Sequence, residues 1–301
     1  MLGPLLFLCY INDISHSSHV LSFILFADDS SVLYTHKNPI TLLNTINNEL
    51  VCLNEWIFAN KLSLNIQKKH YMLFSNSLHN LPGQILLNQI PITRVNSIKF
   101  LGLHIDDHLT WNTHLTHLNK LISRNAGVIY RLKSIFPRRI LLMLYSTIIL
   151  PHLNYGILAW GSSAKIQINK ILLIQKRIIR NICDCNFRAH TDPLFFESKI
   201  LKIDDIFNIN LGSMMHKLSK KELPPVLDSL FKKNNEIHKY STRQTNHYHL
   251  PKTRLRLLQN TFVYNGPKFW NSLHADLKQI PGFHTFKRKL KIVLLSKYSG
   301  D

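Results

Sequence analysis

The sequence predicts an α+β protein, with strands joined by short turns over roughly the first 110 residues and helices from there to the end. Three observations predict it. Residues 20–36, VLSFILFADDSSVLYTH, place two β-favouring runs on either side of Asp28-Asp29, which reads as a tight hairpin. Asn38 as N-cap and Pro39 as first helical residue then open a helix whose apolar positions Leu42, Leu43, Ile46, Leu50, Leu53 and Ile57 recur at intervals of three and four. That gives it one buried face, and such a helix laid on an antiparallel sheet is α+β layering. From Trp111 onward the apolar period changes from two to about 3.6 and stays there.

Taken in order, residues 2–14 predict a buried packing helix that tolerates Pro4 in its first turn and ends at Asn12-Asp13 and Ser15. The hairpin follows, with the carboxylates of Asp28 and Asp29 expected at its tip. Adjacent carboxylates repel, and at a site held between strands a divalent ion is the usual compensation. Residues 61–74 turn the chain back into a strand over 71–74. Residues 84–93 read as two short strands around Asn88-Gln89, and a further pair spans 98–105 with Gly102 at its bend.

Beyond Trp111 a first long helix carries Leu115, Leu118, Ile122, Ile129 and Leu132 on one side, with Lys120, Arg124 and Arg131 off that stripe. A second repeats the arrangement, with Ile171, Ile174, Ile178 and Ile182 against Lys170, Lys176, Arg177 and Arg180. The last helix sets Phe283, Phe286, Leu290 and Leu294 against Lys287, Arg288, Lys289 and Lys291. Residues 220–225 and 232–254 read as loop or linker.

The 301 residues are 45% hydrophobic, enough for two or three domains with their own cores. The formal net charge of +20, from 37 Lys and Arg against 17 Asp and Glu, exceeds what solubility requires and points to polyanions. Because the basic residues are spread along most of the chain after residue 60, nucleic acid fits better than a membrane surface. Four irregularly spaced cysteines do not make a disulfide framework, which favours a reducing, intracellular compartment with the nucleus included. The apolar start lacks a basic leader, so no signal peptide is expected, and Pro151, His152 and Asn154 interrupt the one stretch near the length of a membrane span. Cys183, Cys185 and His190 have one residue too few between the cysteines, and no second pair, for a common zinc site.

Several tracts together carry a family resemblance. Phe26-Ala27-Asp28-Asp29 resembles the FADD box of reverse transcriptases. The stretch LGPLLF at 2–7, running to Tyr10-Ile11-Asn12-Asp13, resembles the segment that precedes that box in LINE-type (non-LTR) retrotransposons. Leu64-Asn65-Ile66-Gln67-Lys68 resembles the LNxxK motif. Phe100-Leu101-Gly102 to Asp106, continued by Leu109-Thr110-Trp111 and His114, resembles the primer-grip block. Four motifs in order over about 115 residues make a specific match to jockey-like elements. Looser likeness reaches the C-terminus through residues 190–195 and Trp270-Asn271-Ser272-Leu273.

The resemblance implies an RNA-directed DNA polymerase that takes an RNA template, a DNA primer and deoxynucleotides. It implies that Asp28 coordinates the catalytic magnesium ions and that Asp29 assists or holds the turn. Phe26 and Ala27 would wall the primer end. Lys68 would neutralise the triphosphate or donate a proton, and Phe100, Leu101 and Gly102 would grip the primer backbone. Residues 1–110 are then expected to be the C-terminal half of a polymerase palm, 111–190 a helical thumb using Lys120, Arg124, Arg131, Arg177 and Arg180 on phosphates, and 191–301 a basic helical region. A two-ion site needs a further Asp from an earlier palm strand. The sequence supplies no replacement, so a truncated polymerase, inactive alone, is expected. A non-catalytic nucleic-acid-binding protein derived from such an element is the alternative, and a group II intron maturase a weaker one.

Overall fold

The computed structural model describes residues 2–27, 29–64, 69–75, 81–237 and 245–299, and falls into two compact units, Met1–Ile98 and Lys99–Asp301. In the first unit, α1 (Leu2–Ile11) runs into a 3-10 turn at Asn12–Ser17. Only Ile11 of α1 is buried, while Leu2, Leu5, Leu6 and Leu8 are exposed. This corrects the expectation of a buried packing helix. The helix is apolar around its whole circumference, and a neighbour on one side cannot cover such a surface.

The hairpin forms as β1 (Ser22–Phe26) and β2 (Asp29–Leu33), with Phe26 opposite Asp29. Phe23, Leu25 and Val32 face the core, and Ile24, Phe26 and Leu33 face outward. Next, α2 (Pro39–Ala59) is capped by the Asn38 side chain, which accepts from the backbone of Ile40 at 2.8 Å. Leu43, Leu50, Leu53 and Ile57 are its buried residues. Asn47 ties it to the following strands by donating to Gln84 O and accepting from Leu86 N.

Of the strand expected over 71–74, only β3 (His70–Tyr71) forms. β4 (Leu86–Leu87) and β5 (Ile90–Pro91) flank Asn88 and Gln89 as expected, both residues in the left-handed region that a two-residue hairpin turn requires. β6 (Thr93–Arg94) pairs parallel with β3. Ile11 and Ile14 close this core with α2, Ile85 and Leu87.

The division between the units falls inside β7 (Ser97–Phe100), whose partner is β8 (Leu103–Asp106). The second unit then builds a large helical core. The carboxylate of Asp106 accepts from the backbone N of Thr110 at 2.7 Å and from its hydroxyl at 3.0 Å, turning the chain into α3 (Asn112–Leu132). α4 (Arg138–Ile148), α5 (Leu150–Asn154) and α6 (Ile157–Trp160) follow, broken where Pro151 and Gly156 stand, and then α7 (Lys165–Ile182).

Leu115, Leu118, Ile122 and Ile129 of α3 and Ile168, Ile171, Ile178 and Ile182 of α7 share one core with Tyr145 and Trp160. Gln175, fully buried on α7, has every polar atom satisfied. It donates to Tyr145 Oη at 2.9 Å and Leu201 O at 3.3 Å and accepts from Ile203 N at 2.8 Å.

α8 (Asp192–Glu197) leads to the central α9 (Ile203–Ser219). The short α10 (Pro225–Asp228), α11 (Asn234–Ile237) and α12 (Arg256–Gln259) punctuate the loop-rich stretch. α13 (Phe262–Ser272), α14 (Ala275–Lys278) and α15 (Phe283–Ser296) close the chain, with α13 and α15 packed on α9. Gly212 lets α15 approach, since a Cβ there would lie 2.5 Å from Leu290. Asp205 at the start of α9 takes a hydrogen bond from Tyr298 and an ion pair from Lys297 at 3.4 Å, so the chain's end is pinned to the core. The expected thumb and C-terminal regions therefore share one hydrophobic core. Among the described residues, no helix is long and apolar enough to cross a membrane.

Candidate polymerase hairpin and cationic helices

The FADD tract sits at the turn of the β1–β2 hairpin, but its two carboxylates are not equivalent. Because Phe26 pairs with Asp29, only residues 27 and 28 lie between the strands. Ala27 has φ 49°, the left-handed backbone of a tight hairpin turn. Asp29 is therefore the first residue of β2, a correction to its expected place at the tip. The register won because Phe23, Leu25 and Val32 must share the buried face, and a slip of one residue would put Val32 on the face opposite Phe23 and Leu25. Asp28 and Lys68 lie outside the described residues. Phe26 is 60% exposed and lies on the outward face with Asp29.

The described donors do not by themselves hold a metal. Asp29 contributes one exposed carboxylate, and no group of three His, Cys, Asp or Glu side chains among the described residues could bind an ion.

In the second unit, Phe100, Leu101 and Gly102 come together at the β7–β8 turn. Leu101 (φ 45°) and Gly102 (φ 82°) both take the left-handed conformation. Tyr155 holds this turn: its hydroxyl donates to Leu101 O, and its ring would lie 3.2 Å from a Cβ at residue 102. The next residue, Gly156, is also left-handed, and a Cβ there would press on Leu103 at 2.7 Å. Sequence reading missed Tyr155. Its signal was an aromatic followed by Gly where Pro151 breaks the helical pattern.

Just beyond, three imidazoles gather. His104 lies 5.0 Å from His117 and 6.4 Å from His114, ring to ring. His114 is buried, accepts at Nδ1 from His104 N at 3.4 Å, and leaves Nε2 without a described partner. Burial, and then repulsion from His104 and His117, push its pKa down to about 4.

α3 and α7 meet through their apolar stripes, so their cations point elsewhere. Lys120, Arg124 and Arg131 on α3 and Arg177 on α7 are exposed. Arg180 differs, because its Nε donates to Ala189 O at 2.9 Å and so pins the loop after α7. Arg131 also bonds back to Gly127 O at 3.4 Å. Lys120, Arg124 and Arg177 are the expected contacts for which no described bond competes. Spacing on α3 puts Lys120 and Arg124 one turn apart on one stripe.

Set beside known proteins, the chain is similar to RNA-directed DNA polymerases of Drosophila non-LTR mobile elements, at 24–27% identity over about 68% of its length. Among them are the probable polymerase of transposon X-element from Drosophila melanogaster, 25% identical over 215 residues, and that of the mobile element jockey from the same species, 25% identical over 217. The jockey polymerase of Drosophila funebris is 24% identical over 217 residues. The matches cover 68–69% of this chain, and the chain spans about a quarter of the length of these relatives. No family model matches the sequence, and no solved structure matches it.

Proposed function

We propose that this chain is a piece of an RNA-directed DNA polymerase of a non-LTR element: the part that presents the catalytic hairpin and holds the template–primer. The observation that carries the reading is the FADD tract at a two-residue hairpin turn, with a left-handed Ala27 and an outward Phe26, in a chain similar to polymerases named as such. In this reading Asp28, with further carboxylates, would hold magnesium at the reacting end, and the ion would supply Lewis-acid stabilisation of developing negative charge there. Asp29, in strand rather than turn, positions Asp28 and adds negative charge. Lys68 would neutralise the triphosphate or donate a proton to the leaving pyrophosphate. Phe100, Leu101 and Gly102 form a grip whose rigidity comes from Tyr155.

The second unit takes the nucleic acid by charge. Lys120, Arg124 and Arg177 contact phosphates without reading sequence, and Arg180 acts through the loop it pins. The palm, thumb and basic C-terminal assignments of residues 1–110, 111–190 and 191–301 belong to the same proposal. A non-catalytic role in binding nucleic acid is the second reading. It is favoured by the formal net charge of +20, which suits binding of a polyanion without any chemistry at the hairpin.

Incubating the purified chain with a primed RNA, deoxynucleotides and magnesium tests this. The expected result is salt-sensitive binding without primer extension. An Arg124→Gln/Arg177→Gln double variant should lower the slope of log affinity against log salt by about two. Extension that vanishes on Asp28→Asn would show the chain to be a complete polymerase, and binding indifferent to salt would remove the cationic interface.

A further inference from the structure

A cleft of about 370 Å³ opens in the second unit, and none of Lys120, Arg124 and Arg177 lines it. Its floor is apolar, made by Leu142 and Leu150 from α4 and α5 and by Ile206 and Ile209 from α9. Three lysines stand around it: Lys199 from the turn after α8, and Lys287 and Lys291, one turn apart on α15. Among the described residues, no carboxylate lines the cleft. Glu197, two residues before Lys199, is occupied by Arg138 at 3.5 Å.

The burial of Lys291 and the neighbouring Lys199 push its ammonium below the usual lysine range, and no negative group offsets them. Polar atoms complete the wall. Asn210 donates to Asn154 Oδ1 at 3.1 Å, and Ser198 accepts from Arg138 at 3.0 Å.

Lysines on α15 alone would be a solvated face. Here the half-buried Lys291 lines an aliphatic cleft together with the exposed Lys199 and Lys287, and the partial burial of its charge costs stability unless an anion shares the site. The volume lies near the lower end of the roughly 300–1,000 Å³ typical of small-molecule sites. An inorganic anion would leave the floor bare, and an apolar ligand would leave the lysines unpaired. The chemistry that satisfies both is an organic phosphate with a flat, weakly polar body.

We propose that this cleft binds one nucleotide, its phosphate among Lys199, Lys287 and Lys291 and its base on Leu142, Ile206 and Ile209. The nucleotide comes either free or as a unit of a single strand. The inference stands on the cleft alone and holds whether or not the chain takes part in DNA synthesis.

The test uses the full chain with thymidine 5′-monophosphate, octathymidylate and inorganic phosphate as probes. The first readout is the rate at which an amine-acylating reagent modifies Lys291, followed by mass spectrometry; the second is polarisation of fluorescein-labelled octathymidylate. Slower acylation of Lys291 by several-fold with octathymidylate, and weakly with the monophosphate, assigns the site to a strand. Protection by the monophosphate alone assigns it to a free nucleotide. Lys291→Gln should weaken binding of the protecting probe about tenfold. Ser146→Trp, which fills the cleft from exposed α4 surface without changing charge, should do the same. Arg288→Gln, on α15 but outside the cleft, should change it no more than about twofold. Equal protection by inorganic phosphate, no protection by any probe, or identical behaviour of Ser146→Trp and Arg288→Gln in folded protein would overturn the proposal.

Discussion

Replacing His114 by Phe should flatten the acid limb of the protein's stability curve. The neutral ring accepts from His104 N, which places its own proton on Nε2 in a pocket where no described group receives it. Protonating Nδ1 would set N–H against N–H and bury a cation beside His104 and His117, with Lys99 acting in turn on His104. The folded state therefore holds its proton more weakly than the unfolded chain, whose imidazole titrates at 6.5 against about 4 in the fold. Between those values the unfolded chain binds more protons, so stability falls as pH drops from 6.5 to 4 and this contribution levels off below. The ring accounts for up to about 3 kcal/mol of that loss.

Phe fills a similar volume between Trp111 and Trp160 but leaves His104 N without its acceptor, a cost of about 1 kcal/mol that does not vary with pH. Urea unfolding followed by tryptophan fluorescence at pH 7, 6, 5 and 4 should show the variant less stable at pH 7. The gap should close or reverse by pH 4. Parallel curves for the two proteins across that range would refute the argument, because the acid sensitivity would then belong to other groups.

Two further substitutions test how the second unit is held together. Gln175→Leu keeps the volume but strands the Tyr145 hydroxyl and the backbone of Ile203, and should cost about 2–4 kcal/mol, read as a lower denaturation midpoint. Gly102→Ala combines a left-handed φ of 82° with a 3.2 Å approach to the Tyr155 ring. It should destabilise by about 1–2 kcal/mol and loosen the β7–β8 turn, seen as faster amide exchange there. Gly127→Ala, where nothing lies within 4 Å of the new methyl, should stabilise slightly and serves as its control.

What the sequence told correctly was what a local period or a cap decides. Asn38 and Pro39 specify where α2 begins whatever lies beyond, and the stripes of α3, α7 and α15 fix the buried sides of helices that pack on one another. It misled where the answer depended on a neighbour. The run of apolar residues in α1 reads as core, yet a period cannot say whether anything covers it, and Leu2, Leu5, Leu6 and Leu8 are bare. At the hairpin, composition places two Asp between strands, but only pairing decides which of them is turn, and Phe26 opposite Asp29 could not be read from propensity. Arg180 looked like Arg177 until the loop folding back to Ala189 gave it a bond.

The same distinction explains why the two units differ in kind. The second unit joins segments far apart in sequence through groups that work only as sets: Gln175 between Tyr145 and Ile203, and Asp205 with Tyr298 and Lys297. Losing one member of such a set leaves buried polar atoms unpaired, so these residues specify one arrangement beyond what apolar burial alone would choose. The first unit depends on a thinner core, eight buried residues around α2 among those described, and keeps Ile24, Phe26 and Leu33 on the outer face of its hairpin. A hairpin that buries only one face gains less from folding than one covered on both. Ala27 at its turn is exposed, and the outward apolar face of the hairpin carries a cost in stability.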